Sequence, residues 1–522
     1  MARHSRPARR DARDGASAGG GAGAAPPPAA PDAVSSTAAP EPPSPHRWLV
    51  LGVVGLAQLM VVLDATIVNI ALPSAQKDLG FNDGNRQWIV TAYALAFGSL
   101  LLFGGRIADL VGRKVVFLTG LVGFALASAV GGGAPSFEVL VAARALQGMF
   151  AALLAPAALS VLTTTFTVPR ERGKAFGIYG AIAGTGGAVG LLLGGLLTEY
   201  LDWRWCLYVN LLFAVLAFVG GVRLLRSGRP VDRPKLDVPG AVLVSVGLFC
   251  VVYGFSNAEQ HSWSSPDTWI FLIAGAVLVA AFGWWQTRAA HPLLPPRVPL
   301  DRDRGASFIA MFISGAGMFG VFLFLTYYLQ QSLLYSPIRT GLAFLPMVAV
   351  MVTMSVTTTN FMLPRLGPKP IVPVGMGIAG LGMAWMTRLD LNSTYPGHVL
   401  PPLLVLGFGL GLVFAPAINT ATAGVATHDA GVASATVNTM QQVGGSIGTA
   451  LLNTLATTAA ANYLTGRRPT RAAVAQSQLE SYSTAYWWSA AFFALGMLVT
   501  GALFRAGRPR THAPEEPEPV RA

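Results

Sequence analysis

Long apolar stretches alternate with short polar ones from about residue 48 to residue 504. A membrane-spanning helix needs roughly 20 apolar residues, and stretches of this kind recur fourteen times along the chain. Backbone groups in lipid must be satisfied within each segment, so the segments are predicted to be helices. The predicted spans are 48–72, 88–104, 115–132, 139–163, 175–198, 206–222, 238–256, 269–287, 307–329, 340–362, 371–387, 400–424, 433–463 and 485–504.

Composition points to the same class of protein. The chain is 53% hydrophobic and 11% charged, with a mean hydropathy of +0.53, whereas soluble domains carry about 25% charged residues. Residues 1–46 are rich in Ala, Gly, Pro and Ser and are predicted to form a disordered cytoplasmic tail. Residues 506–522 form a second short tail. Cys206 and Cys250 both lie in predicted helices, so neither a disulfide framework nor a cysteine metal site is predicted.

The basic residues predict the orientation of the chain, because cytoplasmic loops of membrane proteins carry an excess of Lys and Arg. With the N-terminus inside, 27 of the 36 basic residues fall on the cytoplasmic side. An even number of spans then places both termini in the cytoplasm and the chain in the cytoplasmic membrane. The net charge of +12 is explained by this distribution, so no nucleic-acid partner is predicted.

Two charged side chains lie well inside predicted spans. Asp64 is roughly 12 Å from the external end of the first span, and Arg144 lies at a comparable depth in the fourth. An ion pair would favour the charged carboxylate and burial would favour the neutral acid. A proton-coupled site can use that balance, taking a proton in one access state and releasing it in another. Asp64 and Arg144 are therefore predicted to couple transport to protons; the alternative is a static buried pair that holds helices together.

The segment 105–114 is predicted to connect the second and third spans. Gly105 and Gly112 permit a tight turn. Asp109 can lie near a helix N-terminus or pair with Arg113, and Lys114 completes the basic end. The predicted function is a cytoplasmic latch that breaks when two helix bundles rock. The alternative is an ordinary basic turn.

Small and polar residues mark further candidate positions. In the fifth span, the spacing of glycines predicts close helix packing, and a second interpretation is that this packing seals a gate as bundles rotate. The second half of the chain has no charge inside a span, so coupling is expected in the first half. Interhelical hydrogen bonds are the alternative role for each polar candidate. The glycines are Gly186, Gly190, Gly194 and Gly195, and the candidate cavity residues are Asn69, Gln147, Tyr327, Gln330, Asn438, Gln441 and Gln442.

Other functional classes lack their signatures in this sequence. The nearest fragment of a phosphate-binding loop, Gly173-Lys174, is followed by Ala175 instead of Ser or Thr, so ATP-driven transport is not predicted. No metal-ligand cluster and no histidine suited to a buried catalytic triad is found. The chain is predicted to be a non-enzyme without a cofactor that uses the proton gradient.

Four segments resemble a known family. Residues 63–73 resemble the first-helix signature of the fourteen-span drug:proton antiporters of the major facilitator superfamily, the EmrB/QacA group. Residues 105–114 are similar to the loop motif of the superfamily, with Ile107 for Leu and Leu110 for a basic residue. Residues 140–148 are similar to its fourth-helix motif. Residues 186–195 resemble the antiporter motif, with Leu191 where proline is usual. The resemblance covers roughly residues 47–505.

The resemblance implies an all-α major facilitator fold with two six-helix bundles, at 47–225 and 305–505. The segment 226–304 would carry two additional transmembrane helices between them. It implies proton-coupled efflux of hydrophobic drugs or antibiotics by alternating access, with Asp64 as the proton-binding group and Arg144 as its partner. The implied partners are small hydrophobic substrates, protons and membrane lipid, and a monomer is expected. Together with the high Ala, Gly and Arg content, it suggests an actinobacterial antibiotic exporter.

Three alternatives stay open at this point, because a fold does not fix a function. The first is an exporter dedicated to one endogenous metabolite or lipid on the same fold. The second is an importer, favoured only by the absence of proline at Leu191. The third is a non-transporting scaffold or sensor, which would tolerate neutralisation of Asp64.

Overall fold

The computed structural model describes residues 46–82, 85–166, 169–225, 237–261, 263–423, 425, 430–468 and 470–506. The two predicted tails lie outside this part of the chain, apart from His46 and Ala506. Helices and short connections make up the described residues, and none of these residues is in a β-strand.

The described chain contains fifteen α-helices, of which only α11 is shorter than five turns. Short π-helical turns at Tyr328–Ser332 and Thr358–Met362 continue α9 and α10, and a third at Tyr395–Val399 leads into α13. The helices are α1 (Arg47–Leu79), α2 (Gln87–Val111), α3 (Arg113–Gly132), α4 (Phe137–Thr165), α5 (Pro169–Tyr200), α6 (Trp205–Leu224), α7 (Val238–His261), α8 (Pro266–Gln286), α9 (Arg302–Tyr327), α10 (Pro337–Thr357), α11 (Leu363–Leu366), α12 (Pro368–Met386), α13 (Leu400–Thr422), α14 (Ala430–Leu464) and α15 (Arg471–Leu503).

Ten helical segments of the described chain are long and apolar enough to cross a membrane, and they include α1, α3, α4, α6 to α10, α13 and α15. The predicted all-helical class is therefore confirmed. The predicted count of fourteen spans is larger than this number. The four other helices that correspond to predicted spans are α2, α5, α12 and α14.

The predicted turn at Gly105 is wrong, because α2 continues through this residue to Val111. The apolar stretch ends near residue 104, but an α-helix satisfies its own backbone and continues where the side chains become polar. Gly105 instead lies against α4, where an added Cβ would come 3.5 Å from Pro156. The turn between α2 and α3 is made at Gly112, whose φ of 108° lies in a region that glycine reaches without steric cost.

Ion pairs between helix ends define two faces of the helix bundle. At the N-terminal face, Arg47 at the start of α1 pairs with Glu171 near the start of α5, 2.9 Å apart. At the opposite face, Arg204 before α6 pairs with Asp78 near the end of α1, also at 2.9 Å. Arg204 also donates to the carbonyl of Ala134, just after α3, at 2.6 Å. Helices α1 and α5 therefore run in the same direction between these faces, and α6 runs in the opposite direction.

The same pattern of helix packing occurs twice. In the first set, α1 to α6, α1 packs against α5 and α6, α2 against α4, and α3 against α4 and α6. In the second set, α9 to α15, α9 packs against α14 and α15, α10 against α13, and α12 against α13 and α15. With the four-residue α11 set aside, these are the same pairs in the same order. Such repetition is typical of transporters built from two similar halves.

The two sets meet along α2–α14, α5–α10 and α1–α9. Toward the opposite face the approach is close, since an added Cβ at Gly195 of α5 would lie 2.8 Å from the carbonyl oxygen of Pro337, at the start of α10. Hydrogen bonds join the sets there, and we call this region the opposite-face seam. The bonds run from Tyr327 Oη to Gln76 Oε1, from Gln330 Nε2 to the carbonyl of Ile70, from the backbone N–H of Ile338 to Glu199 Oε2, and from Arg86 Nη2 to Asn453 Oδ1.

Helices α7 and α8 form a hairpin that packs on both sets. Helix α7 contacts α2 of the first set and α14 of the second, and Ser245 Oγ donates to the carbonyl of Ser99 in α2 at 2.9 Å. The apolar side chains on the other side of α8 remain exposed, among them Trp269, Ile273 and Val277. An apolar face of this kind is suited to lipid.

Asp237 fastens the base of this hairpin. Its buried carboxylate accepts hydrogen bonds from Gln286 Nε2 and Trp285 Nε1, both at 2.7 Å, and from the backbone N–H groups of Gly240 and Leu293. Burial raises the pKa of Asp237, but these hydrogen bonds outweigh burial and leave the pKa below its ordinary value. One side chain therefore joins the start of α7, the end of α8 and the segment that leads to α9.

Candidate functional site

Asp64 lies near the middle of α1 and is fully buried. Its carboxylate accepts three hydrogen bonds from two neighbouring helices. From α4, Arg144 Nη1 donates to Oδ2 at 2.6 Å and Gln147 Nε2 donates to Oδ1 at 3.0 Å. From α6, Asn210 Nδ2 donates to Oδ1 at 2.7 Å. The carboxylate therefore joins α1, α4 and α6 in the interior of the first set.

Arg144 is only 1% exposed and has other partners besides Asp64. Its Nε donates to the carbonyl of Ile89 at 3.1 Å, and its Nη1 also donates to Gln147 Oε1 at 2.9 Å. The guanidinium carbon lies 4.4 Å from the centre of the Tyr93 ring, a distance at which a cation is attracted to an aromatic face. The structure thus brings Asp64 and Arg144 together, while their role in proton coupling stays a prediction.

Asn210, Ser128 and Tyr93 belong to this cluster but were not predicted from the sequence. Ser128 of α3 accepts a hydrogen bond of 2.7 Å from Gln147 Nε2. Asn210 had a usable signal, because it is the one amide in the apolar stretch 206–222, and a polar group at membrane depth marks a candidate site. A single serine or tyrosine in an apolar stretch carries no comparable signal.

The negative charge of Asp64 is balanced by the positive charge of Arg144. The hydrogen bonds of the cluster reduce the free-energy cost of burying both charges. Removing one partner of a buried ion pair typically costs about 3–5 kcal/mol, because the other charge is left uncompensated. Here the ionised carboxylate has three donors. If Asp64 took up a proton, Arg144 would keep its bonds to Gln147 and Ile89 and its contact with Tyr93. The cluster therefore supplies donors for an ionised Asp64 carboxylate, and it supplies other partners for the Arg144 guanidinium when Asp64 is neutral.

A small cavity of about 10 Å³ adjoins Arg144 on the side of the opposite face. A cavity of about this size is at the lower limit for one water molecule, which also needs polar partners. Apolar side chains supply most of its wall, and they come from α1, α2, α4, α6 and the turn before α6. The lining residues are Val68, Ala71, Leu72, Ala75, Ile89, Leu140, Arg144, Trp203, Cys206 and Leu207.

The predicted latch lies at the N-terminal face, around the turn at Gly112. The side chain of Asp109 lies outside the described part of the structure, so the predicted pair with Arg113 stays a prediction. Lys114 Nζ donates to the carbonyls of Val222 and Leu225 at 2.8 and 2.6 Å, and its part in the latch stays a prediction. These two hydrogen bonds fasten the start of α3 to the end of α6 within the first set.

The predicted glycine stripe of α5 divides between two contacts. Gly186, Gly190 and Gly194 lie against α1, where an added Cβ at Gly194 would come 2.9 Å from the carbonyl oxygen of Ile67. Gly195 faces α10 across the opposite-face seam. The close packing is present at all four positions, but only Gly195 lies between the two sets.

Four of the predicted cavity residues are divided between three places in the structure. Gln147 is fully buried in the Asp64 cluster. Asn69 is also buried, and its Nδ2 donates within α1 to the carbonyls of Ala65 and Thr66 at 3.1 and 3.4 Å. Tyr327 and Gln330 belong to the opposite-face seam.

Three candidates lie on α14, which packs against α2 of the first set and α9 of the second. Asn438 is exposed, while Gln441 and Gln442 are half-buried. The backbone of Gln441 is close to Gly315 of α9, and an added Cβ at Gly98 of α2 would lie 3.2 Å from the Cβ of Gln442. Gln442 therefore packs against the first set, whereas the contact of Gln441 with α9 lies within the second set.

Arg86, at the start of α2, is a buried cation that the sequence did not single out. It is 4% exposed, and its guanidinium carbon lies 4.2 Å from the ring centre of Tyr327. A cavity of about 220 Å³ adjoins it at the opposite face. Arg86 is at the edge of the predicted span 88–104, where basic residues are common, and this explains why it gave no signal. The cavity is lined by Arg86, Gln331, Thr457, Ala460, Gln478, Ser481 and Tyr482.

The family of the chain follows from comparison with known proteins. A sequence model of the Major Facilitator Superfamily matches residues 54–449. The chain belongs to this superfamily. It is therefore a multi-pass membrane transporter of small molecules and is not an enzyme.

Several known proteins are similar in sequence to this chain over most of their length. The puromycin resistance protein pur8 of Streptomyces alboniger is 50% identical over 469 residues, covering 90% of this chain and 92% of pur8. The cephamycin export protein CmcT of Amycolatopsis lactamdurans is 40% identical over 402 residues, covering 76% and 83%. In structure, an auto-inhibited peptide transporter of the POT family matches with a TM-score of 0.64 at 16% identity, covering 88% of this chain and 98% of that one. This last similarity confirms the fold.

Leu191, which stands where the antiporter motif usually has proline, lies at a contact between the two sets. Leu191 is fully buried, and its carbonyl lies against Gly341 of α10. Unlike proline, leucine keeps the backbone N–H and lets the helical hydrogen bonding of α5 continue. The position therefore belongs to the close α5–α10 contact.

Proposed function

We propose that the protein exports hydrophobic drugs or antibiotics from the cytoplasm by antiport against protons. The observation that carries the proposal is the buried Asp64–Arg144 pair, because a charge at membrane depth is costly and marks a proton or substrate route in a transporter. The names of two relatives support the substrate class, since one is a puromycin resistance protein and the other a cephamycin export protein. No cofactor is required, because the proton gradient supplies the energy.

In this proposal, Asp64 exchanges the proton and Arg144 modulates that exchange. Protonation removes the negative charge that joins α1 to Arg144, and so changes the relative free energies of the two access states. A ligand shifts such an equilibrium only by its differential affinity for the two states, and this holds for a proton as well as for a drug. Export results if the drug binds one access state and the proton favours the other.

The topology in this proposal has fourteen spans with both termini in the cytoplasm. The spans α2, α5, α12 and α14 join the ten apolar helices, and all four are at least 19 residues long. Residues 47–225 and 305–505 form the two six-helix bundles, and 226–304 contains the extra pair. The repeated packing pattern of the two sets supports this division. The N-terminal face is then cytoplasmic, and the EmrB/QacA-like group is the proposed subfamily.

The opposite-face seam gives the proposal a conformational basis. If the opposite face is external, its four hydrogen bonds and the Gly195–α10 contact close the transporter to the outside. Asn438, Gln441 and Gln442 would then face a substrate route reached from the cytoplasm. Asp109 with Arg113 would form a latch that closes in the other access state. The transporter is proposed to act as a monomer in lipid.

Transport in everted membrane vesicles tests the proposal. The vesicles carry an imposed pH gradient, and puromycin and a panel of lipophilic cations and neutral aromatic antibiotics are added while gradient collapse is followed. We expect substrate-dependent proton release with the wild-type protein and its loss in Asp64→Asn. Asp78→Asn is the matched control, because Asp78 lies on the same helix but is half exposed in a surface pair with Arg204, where ion pairs contribute little.

The outcomes separate the alternatives. Equal proton release in wild type and Asp64→Asn would contradict the role of Asp64. Loss of release in Asp78→Asn as well as in Asp64→Asn would indicate a general defect of α1. No response to any compound in the panel would favour an exporter dedicated to one endogenous metabolite or lipid.

A further inference from the structure

Only one end of the Asn210 side-chain amide makes a hydrogen bond among the described residues. Its Nδ2 donates to Asp64 Oδ1 at 2.7 Å, while its Oδ1 is buried and has no hydrogen-bond partner among the described residues. The whole side chain is 0% exposed. A buried polar atom without a partner costs free energy, so the unused oxygen needs a physical explanation.

The hydrogen-bonding needs of Asp64 depend on its protonation state. An ionised carboxylate only accepts hydrogen bonds, and the amide nitrogen of Asn210 satisfies that need. A protonated carboxyl group has an O–H donor and needs an acceptor. An asparagine amide offers either end when it turns about its terminal bond, and the unused Oδ1 is such an acceptor.

The other groups around Asp64 are less suited to accept this hydrogen bond. Arg144 has donors only. Gln147 already uses Oε1 for Arg144 and Nε2 for Asp64 and Ser128. The α5 surface that faces α1 presents glycines. The titratable and charged groups near Asp64 are Arg144 of α4, Tyr93 of α2, which lies over the Arg144 guanidinium, and the thiol of Cys206 in α6.

We propose that Asn210 is a positioning residue that follows the protonation state of Asp64 by turning its amide. In the ionised state Nδ2 donates to the carboxylate, and in the protonated state the carboxyl O–H donates to Oδ1. The proton stays on Asp64, and Asn210 neither gains nor loses one. This inference rests on the proposed proton exchange at Asp64.

The consequence is an asymmetry between two helix contacts. The ion pair from α1 to Arg144 in α4 exists only while Asp64 is ionised. The hydrogen bond from α1 to Asn210 in α6 persists in both states. Protonation therefore loosens α1 from α4 while α1 stays bonded to α6, which gives the first set a defined direction of movement.

Infrared difference spectroscopy of the purified full-length protein tests the inference. Acidification is expected to produce the carbonyl stretch of a protonated carboxyl group, which Asp64→Asn should remove. In Asn210→Leu, which has a similar size but no polar atom, this band should shift in frequency because its acceptor is gone.

Two further variants keep the test decisive. Asn210→Thr retains a hydroxyl that can donate and accept, so it should keep the band frequency closer to that of the wild type even if Asn210→Leu fails to fold. Asn257→Leu is the control, because Asn257 lies outside the cluster, where its Nδ2 donates to Thr268 at 3.2 Å between α7 and α8, and it should leave the band frequency unchanged.

An unchanged carbonyl frequency in both Asn210 variants would overturn the inference while leaving proton exchange at Asp64 intact. Persistence of the band in Asp64→Asn would instead contradict the proposed function itself, because the titrating carboxyl group would then be another residue.

Discussion

The two sets of helices repeat one packing pattern but use polar side chains in different ways. In the first set, Asp64, Arg144, Gln147, Asn210 and Ser128 bond across α1, α3, α4 and α6. In the second set, the described residues include no buried charged side chain. Many of its buried hydroxyls donate to a carbonyl one turn earlier in the same helix, such as those of Thr436, Ser446, Thr449, Thr454, Ser489 and Thr500.

This difference affects how each set responds when its helices move. A polar group that bonds across helices fixes their relative position, and it becomes costly when its partner moves. A hydroxyl bonded within its own helix stays satisfied when that helix slides or tilts. The first set thus holds its buried charges by bonds between helices, whereas these hydroxyls of the second set stay bonded when their helices shift.

The largest expected effect is the loss of one member of the buried ion pair. Arg144→Leu leaves the Asp64 carboxylate without its countercharge and should lower the free energy of unfolding by about 3–5 kcal/mol. The double variant Asp64→Asn/Arg144→Leu should recover much of this loss, because no charge remains buried. Thermal unfolding of the purified variants measures both effects. Additive losses in the double variant would show that the two charges do not interact.

A smaller effect is expected where the two sets touch. In Gly341→Ala the new methyl group meets the carbonyl of Leu191, and such overpacking typically costs about 1–3 kcal/mol. Because this contact lies between the sets, the cost can be relieved by opening the opposite face. Spin labels at the exposed positions Leu201 and Leu334 should therefore report a longer distance between the sets.

Gly52→Ala is the matched control for that experiment, because an added Cβ at Gly52 meets no atom within 4 Å. An equal change of distance in both variants, or an unchanged distance in Gly341→Ala, would show that the α5–α10 contact does not hold the opposite face closed.

The smallest effect is expected for a hydroxyl of the second set. Thr449→Val removes the bond to the carbonyl of Gly445, which keeps its helical N–H partner, so stability should change by less than about 1 kcal/mol. Ser128→Ala in the first set leaves Gln147 with fewer acceptors and should cost more. The comparison is made by denaturation of both variants under one condition. A larger loss in Thr449→Val would reverse the distinction between the sets.

The sequence predicted the features that follow from the cost of burying polar groups in lipid. It indicated the helical class and the positions of Asp64 and Arg144, because a charge within an apolar stretch needs a partner. It did not reveal that Asn210 and Ser128 join them, since that depends on which faces of α3 and α6 turn inward. It also placed a turn at Gly105, because the side chains there become polar although the helix continues.

Close contacts between backbones were harder to assign than charges. The spacing of Gly186, Gly190 and Gly194 indicated a helix contact but not that the partner is α1, nor that Gly195 faces the other set. Arg86 was missed because its position at the end of a span is common for a basic residue. These assignments need the three-dimensional arrangement of helices, which a one-dimensional pattern leaves open.

Asp237, at the base of the α7–α8 hairpin, is a buried carboxylate like Asp64, but its described donors are neutral groups instead of an arginine. Its pKa lies below the ordinary value, because hydrogen bonds outweigh its burial. The stability that it contributes is complete above the pKa of the unfolded chain and is lost only as the pH falls through the lower pKa of the folded protein. The attachment of the α7–α8 hairpin is therefore expected to stay intact at physiological pH, so that in the proposed mechanism Asp64 can take up a proton while the connection between the two sets is kept.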